Sequence, residues 1–211
     1  MSDDHDAADV ATFGRHAEHP IERMDADERA ARDLVMRGRG MVPGPYKIFI
    51  RNRALLEAIF PMAQHYQSNS SLSKGEIEIA VLLTTSKWMA AYATSEHEWL
   101  AQHFGGLSAD TVEALVTGGV PSLGDPRQQL VYDLARTLLA PKIVSMPLYE
   151  RAMTLLGDVG LTDVIAMIGY FTTVAMTLCA YDVPSHAEGL IRPGEPTIEQ
   201  LKAKAAAARD R

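Results

Sequence analysis

Residues 161–181, LTDVIAMIGYFTTVAMTLCAY, carry a single charged side chain, Asp163. An apolar run of this length either crosses a bilayer or is buried among other helices of its own chain. Thr162, Thr172, Thr173 and Thr177 dilute the run, no basic cluster flanks it, and no second run of the kind accompanies it. The expectation is a central buried helix, with no membrane as partner. A helix that is apolar on nearly every side needs cover on every side, so a homo-oligomer is also expected.

Around this segment the chain reads as helix after helix, with apolar residues three and four apart and almost no strand-like alternation, so the fold class is all-α. Asp25 with Glu28, and Ser73 with Glu76, have the spacing of capping boxes. Asn52, Ser108 or Asp110, Asp125, Ser145 and Thr197 mark further helix starts. Gly38 and Gly40 close the first helix, and the MVPGPY loop at 41–46 places Tyr46 and Phe49 at the head of the next segment. Pro61 is expected to bend or split the helix that Asn52 begins. With 211 residues, 47% of them hydrophobic, the chain can bury a core without metal or disulfides.

Three segments follow from composition. Residues 1–20 read as an acidic tail, with Asp3, Asp4, Asp6, Asp9 and Glu18 against Arg15 and neither the basic nor the apolar part of a signal peptide. Residues 21–190 form the helical domain, and 191–211 a tail ending in a short Ala-rich helix that packs on the surface or on a neighbouring subunit.

The formal charge of −7 leaves little for a phosphate backbone to attract, so nucleic acid is not an expected partner. Cys179 is the only cysteine, which excludes an intramolecular disulfide, a CxxC pair and a thiolate zinc site, and a cytoplasmic location is expected. Set in the most apolar helix, Cys179 is expected to be an inert core thiol. Of seven histidines, His5, His16 and His19 lie in the acidic segment, His186 follows the last core helix, and His65 and His103 lie near helix ends. His97 is mid-helix, but Ala93 and Ala101 stand four residues to either side, and His103 lies about 240° further round the helix. No metal site is expected, and no phosphate-cradling or dinucleotide loop is present to call for a cofactor.

The run GEIEIAVLLTTSKWMAAYATSEHEWLAQHFGGLS resembles the core of the carboxymuconolactone decarboxylase and alkylhydroperoxidase D superfamily. In the peroxidase branch of that superfamily a glutamate on a core helix is followed by two cysteines and then a histidine. Glu78 and His97 match the ends of this frame, while Ala90 and Ala93 stand at the cysteine positions, so thiol-based hydroperoxide reduction is not expected. A longer, cysteine-free branch often has tyrosine, glutamate and tryptophan shortly before the histidine. Tyr92 matches; Ala93 and Thr94 do not. The segments MVPGPYKIFIRNRALLEA, QQLVYDLARTLL and GDVGLTDVIAMIGYFTTVAMTLCAYDVP extend the likeness over about residues 24–184. It implies an alkylhydroperoxidase D-like (AhpD-like) bundle of about eight to ten helices, assembled as a dimer, trimer or hexamer.

On that frame Glu78 and His97 form a proton-transfer pair, with Tyr92 as the third catalytic residue. Trp88, Tyr46, Phe49, Tyr170 and Phe171 are expected as aromatic walls, and Tyr92, Tyr170 or Thr173 as donors to a substrate oxygen. The implied activity is cofactor-free acid–base chemistry (decarboxylation, isomerisation or lactone opening) on a small cyclic or unsaturated carboxylic acid or lactone. The alternative is a small-molecule-binding or interaction module, with Ala90, Ala93 and Thr94 marking a lost site.

Overall fold

Helices in this chain begin where a side-chain oxygen is available to satisfy their first amides. Asp25 and Glu28 close a capping box that starts α1 (Ala26–Arg39), and Ser73 and Glu76 close another that starts α4 (Lys74–Lys87). Asn52, Ser108 and Asp125 cap α3 (Arg53–Ser68), α6 (Ala109–Thr117) and α7 (Pro126–Leu139) through single bonds. The computed structural model describes residues 10–209; these form ten α-helices, a short 3-10 turn and no strand beyond an isolated bridge between Phe13 and His16. The remaining helices are α2 (Tyr46–Phe49), α5 (Ala91–His103), α8 (Met146–Leu155), α9 (Gly157–Ala180) and α10 (Ile198–Arg209). The expected all-α bundle is what the chain forms.

Two local expectations sharpen. Of the two outcomes open at Pro61, splitting is excluded: α3 runs unbroken from Arg53 to Ser68, with Leu56, Phe60, Ala63 and Tyr66 buried along one face on both sides of the proline. The apolar helix starts at Gly157 rather than near residue 161, since the left-handed turn at Gly157 (φ +64°) is itself the break from α8.

The helix at the centre is α4, not the apolar segment. α4 packs against α5, α6, α7 and α9, and ten of its fourteen residues are buried. α9 lays one face on α3, α4, α5, α7 and α8, while Ile165 (49%) and Met176 (50%) stay exposed on the other. Cys179 is likewise on the exposed face rather than in the core, donating to the Trp88 carbonyl at 3.0 Å, and partial burial raises its pKa. By length and composition α9 could cross a membrane, yet its inner face is tied down by a polar contact. Asp163 accepts from His65 Nε2 (2.7 Å), Ser70 Oγ (3.0 Å), and both the backbone N–H and Oγ of Ser71 (2.8 Å each).

The segment boundaries also move. Residues 1–9 lie outside the described residues, but 10–20 are no tail: Phe13 is fully buried, its ring edge-on to Tyr92 at 5.2 Å. Glu18, also buried, accepts from Lys47 Nζ (3.0 Å) and from the Leu190 backbone N–H, with Arg192 Nη2 at 3.5 Å. A charge cluster withdrawn from water persists only when its members satisfy one another, and this one pins residues near both ends of the chain to α2. The 190/191 boundary is therefore no break in packing either. α10 docks back on α5 through Lys202 Nζ and Glu96 Oε1 at 3.3 Å.

Candidate functional site

Glu78 is buried on the second turn of α4, where a bare carboxylate would be costly. Its partner comes from the next helix. His97, in the middle of α5, places Nδ1 2.6 Å from Glu78 Oε2. A carboxylate only accepts, so Nδ1 carries a proton, and Nε2 is the nitrogen left to exchange one. The imidazole also meets the Phe171 ring edge-on, centroids 5.0 Å apart, which fixes its plane.

Both side chains line a cavity of ≈ 460 Å³, in the range of small-molecule sites. α5 contributes Tyr92, Ala93, Glu96, His97, Trp99 and Leu100, a recurrence of three and four that is one continuous helix face, and Phe104 follows at its C-cap. α9 supplies Tyr170, Phe171 and Val174; the 41–46 loop and α3 supply Pro43, Gly44, Tyr46 and Tyr66; α10 closes one side with Ile198, Leu201 and Lys202.

The phenols of this wall are donors rather than bases. Burial, with a contribution from Glu96, holds the Tyr92 hydroxyl well above the ordinary tyrosine range, and Gly44 lies directly against it. A Cβ at Gly44 would stand 2.7 Å from Tyr92 Cε1, and the residue has φ +38°, so glycine is required on both counts. Burial pushes Tyr66 up to about 12, with the Asp163 carboxylate adding to it. Tyr170 is raised well above 10 by burial and then by Tyr46, whose hydroxyl lies 2.8 Å from its own.

Of the residues singled out in the sequence, the structure thus brings Glu78, His97, Tyr92, Tyr46, Tyr170 and Phe171 to one cavity. It leaves three outside. Trp88 caps the end of α4 and is 38% exposed, away from the lining. Phe49 is buried, packing edge-on behind the Tyr46 ring at 6.3 Å. Thr173 faces outward on α9 and returns its hydroxyl proton to the Gly169 carbonyl. For Thr173 the reason is helix rotation: on α9 Tyr170 and Val174, four apart, turn inward, which turns Thr173 out. Ala90 and Ala93 are buried, with Ala93 on the cavity wall.

Sequence reasoning missed Arg39, Tyr66, Glu96, Trp99 and Lys202. For Glu96 and Trp99 the signal was present, since they stand four and seven residues after Tyr92 on one face of α5. Nothing local marks Arg39 or Lys202, which reach the cavity through tertiary packing. Among the described residues no group of three or more His, Cys, Asp or Glu side chains is placed to hold a metal ion.

Neither protein-family models nor curated proteins gave a match to this chain. Solved structures did. A crystal structure of an uncharacterized peroxidase-related protein from Silicibacter sp. TM1040 superposes with a TM-score of 0.66 at 19% identity, covering 89% of this chain and 97% of the other. A second, described as an alkylhydroperoxidase AhpD core, an uncharacterized peroxidase-related protein from Ralstonia eutropha JMP134, has a TM-score of 0.64 at 16% identity and covers 82% and 92%. At these identities the likeness is one of fold.

Proposed function

We propose, taking the AhpD-like fold of this chain as premise, that it is a carboxymuconolactone decarboxylase-like, cofactor-free acid–base enzyme acting on a small cyclic or unsaturated carboxylic acid or lactone. The observation that carries this is the 2.6 Å contact between His97 Nδ1 and Glu78 Oε2 on the wall of a ≈ 460 Å³ cavity. Glu78 fixes the tautomer and stabilises the imidazolium. His97 Nε2 then removes a proton from carbon beside a carbonyl, or delivers one to the carbon that has lost carbon dioxide. Electron density arriving on the substrate oxygen in such a step is met by phenolic O–H groups that stay protonated, among them Tyr92. The apolar side chains around the pair keep water from competing for the proton.

Thiol-based peroxide reduction has little support, since alanines stand at the family's cysteine positions and Cys179 is on the outer face of α9. Ala93 on the cavity wall favours a second reading, a pocket that binds without turnover. Deuterium exchange separates the two. Unsaturated lactones and their acids, incubated in D2O and followed by proton NMR, are expected to exchange at the carbon beside the carbonyl. His97→Ala should lower that rate by about 10²- to 10⁴-fold with the fold intact by circular dichroism, and Glu78→Gln by less. Exchange undiminished in His97→Ala overturns the enzyme reading. Binding of the same compounds without exchange in the wild type favours the binding module.

A further inference from the structure

Several guanidinium groups packed into this fold are matched to a carboxylate. Arg127 forks onto Glu76, Arg192 faces Glu18, and Arg32 meets Glu195 at 2.9 Å. Arg39 is different. It is the last residue of α1 and lines the cavity, yet no carboxylate among the described residues pairs with it. Its Nε is buried without a hydrogen-bond partner, its Nη2 donates to Tyr46 Oη at 3.3 Å, and its guanidinium stands 5.3 Å from the centre of the Tyr46 ring.

The neighbouring phenols add a constraint. An arginine cannot accept, so the Tyr46 oxygen accepts a hydrogen bond from Arg39, and a second hydrogen bond joins it to the Tyr170 hydroxyl at 2.8 Å. Two phenolic protons are present and only one lies between the two oxygens, whichever group donates it. The other is unspent, on a ring that lines the cavity. From this corner an aromatic row leads to the proton-transfer pair: Tyr170 meets Phe171 edge-on at 5.2 Å, and Phe171 meets His97 at 5.0 Å. Of the other charges on the wall, Glu78 is taken by His97, Glu96 by Lys202, and Lys74 is exposed.

We propose that Arg39, with the spare phenolic proton of the Tyr46–Tyr170 pair, is the docking point for the carboxylate of an aromatic or otherwise apolar monocarboxylate, whose body lies along Tyr170 and Phe171 toward His97. A guanidinium fork and a phenol suit the two oxygens of one carboxylate. The docked carboxylate is a handle, not the group that reacts, because stabilising it in the ground state opposes its loss as carbon dioxide. The position of the reacting carbon near His97 rests on the acid–base reading; the binding itself does not.

The test is calorimetric titration with 2-naphthoate and with its neutral counterpart 2-naphthalenemethanol. Wild type should bind the carboxylate more tightly than the alcohol. Arg39→Gln should weaken the carboxylate by about tenfold or more and leave the alcohol within about twofold. Tyr170→Phe should weaken the carboxylate by a smaller factor, and Arg39→Lys, which keeps the charge but not the fork, should fall between and stands in if the glutamine variant does not fold. Wild type that binds naphthoate in this way yet exchanges no proton on the unsaturated lactones would count against the enzyme reading alone. Equal affinity for the two probes, no binding of naphthoate, or an Arg39→Gln protein that binds it like wild type each overturns the proposal.

Discussion

α4 and α9 exchange the roles their compositions suggest. α9 is the more apolar and nearly twice as long, yet it gives one face to the bundle and leaves the other uncovered. α4, KGEIEIAVLLTTSK, contains two glutamates and two threonines that are buried with the rest. What separates the helices is what they do with polar atoms. On α4 Glu76 takes Arg127 and the Ser73 amide, Glu78 takes His97, and Thr84 returns its proton to the Ala80 carbonyl at 2.7 Å. A helix satisfied in this way can sit at the centre of a fold and still present one carboxylate, Glu78, to the cavity. Apolar character alone says how much cover a helix wants, not how much its own chain provides.

The comparison can be broken by perturbing each helix in turn. We infer that the uncovered face of α9 is shared with a second copy of the chain. Sedimentation at micromolar concentration should then show more than a monomer, and Ile165→Glu with Met176→Glu should reduce it to a monomer without loss of helix content. A wild type that sediments only as a monomer refutes this. Within one subunit, Leu82→Ala in α4 removes a fully buried side chain and should cost about 2–5 kcal/mol in chemical denaturation. Arg127→Ala leaves Glu76 buried without its cation and should cost about 3 kcal/mol.

The inner face of α9 gives a smaller, pH-dependent effect. Burial pulls the Asp163 carboxyl up, but hydrogen bonds from His65, from both groups of Ser71 and from Ser70 together outweigh it and hold its pKa below 3.8. A depressed acid contributes stability that is complete above the unfolded value and is lost as pH falls through the folded one. Unfolding midpoints should therefore drop below about pH 3.8, and Asp163→Asn should flatten that limb. His16 works one window higher. Burial, then Arg51, lowers its pKa from 6.5, so its contribution is present above pH 6.5 and declines below it, and His16→Gln should remove that component. Least affected should be Thr173→Ala on the outer face of α9, within about 0.5 kcal/mol of wild type.

Much of this architecture can be read from residues near one another in sequence. Capping boxes at Asp25 and Ser73 set helix starts, and the Glu78–His97 frame came from a likeness carried by one continuous stretch. What escaped reading depends on residues far apart. Phe13 stands alone in an acidic, aperiodic segment, and only the tertiary fold places it under Tyr92. Side-chain type alone points to Trp88, Phe49 and Thr173, whereas the end of α4 at Trp88, the packing of Phe49 behind Tyr46 and the rotation of α9 at Thr173 keep them off the cavity wall. Arg39 and Lys202 come to one site from positions 163 residues apart, a pairing no local pattern encodes.

The wall contributed by α10 bears on how the protein is made. Glu78 and His97 are nineteen residues apart and can meet early as the chain leaves the ribosome, whereas Leu201 and Lys202 emerge more than a hundred residues later. During synthesis the Glu78–His97 pair can therefore stand for a time at a groove without its α10 wall, and the full lining arises only when the final helix docks.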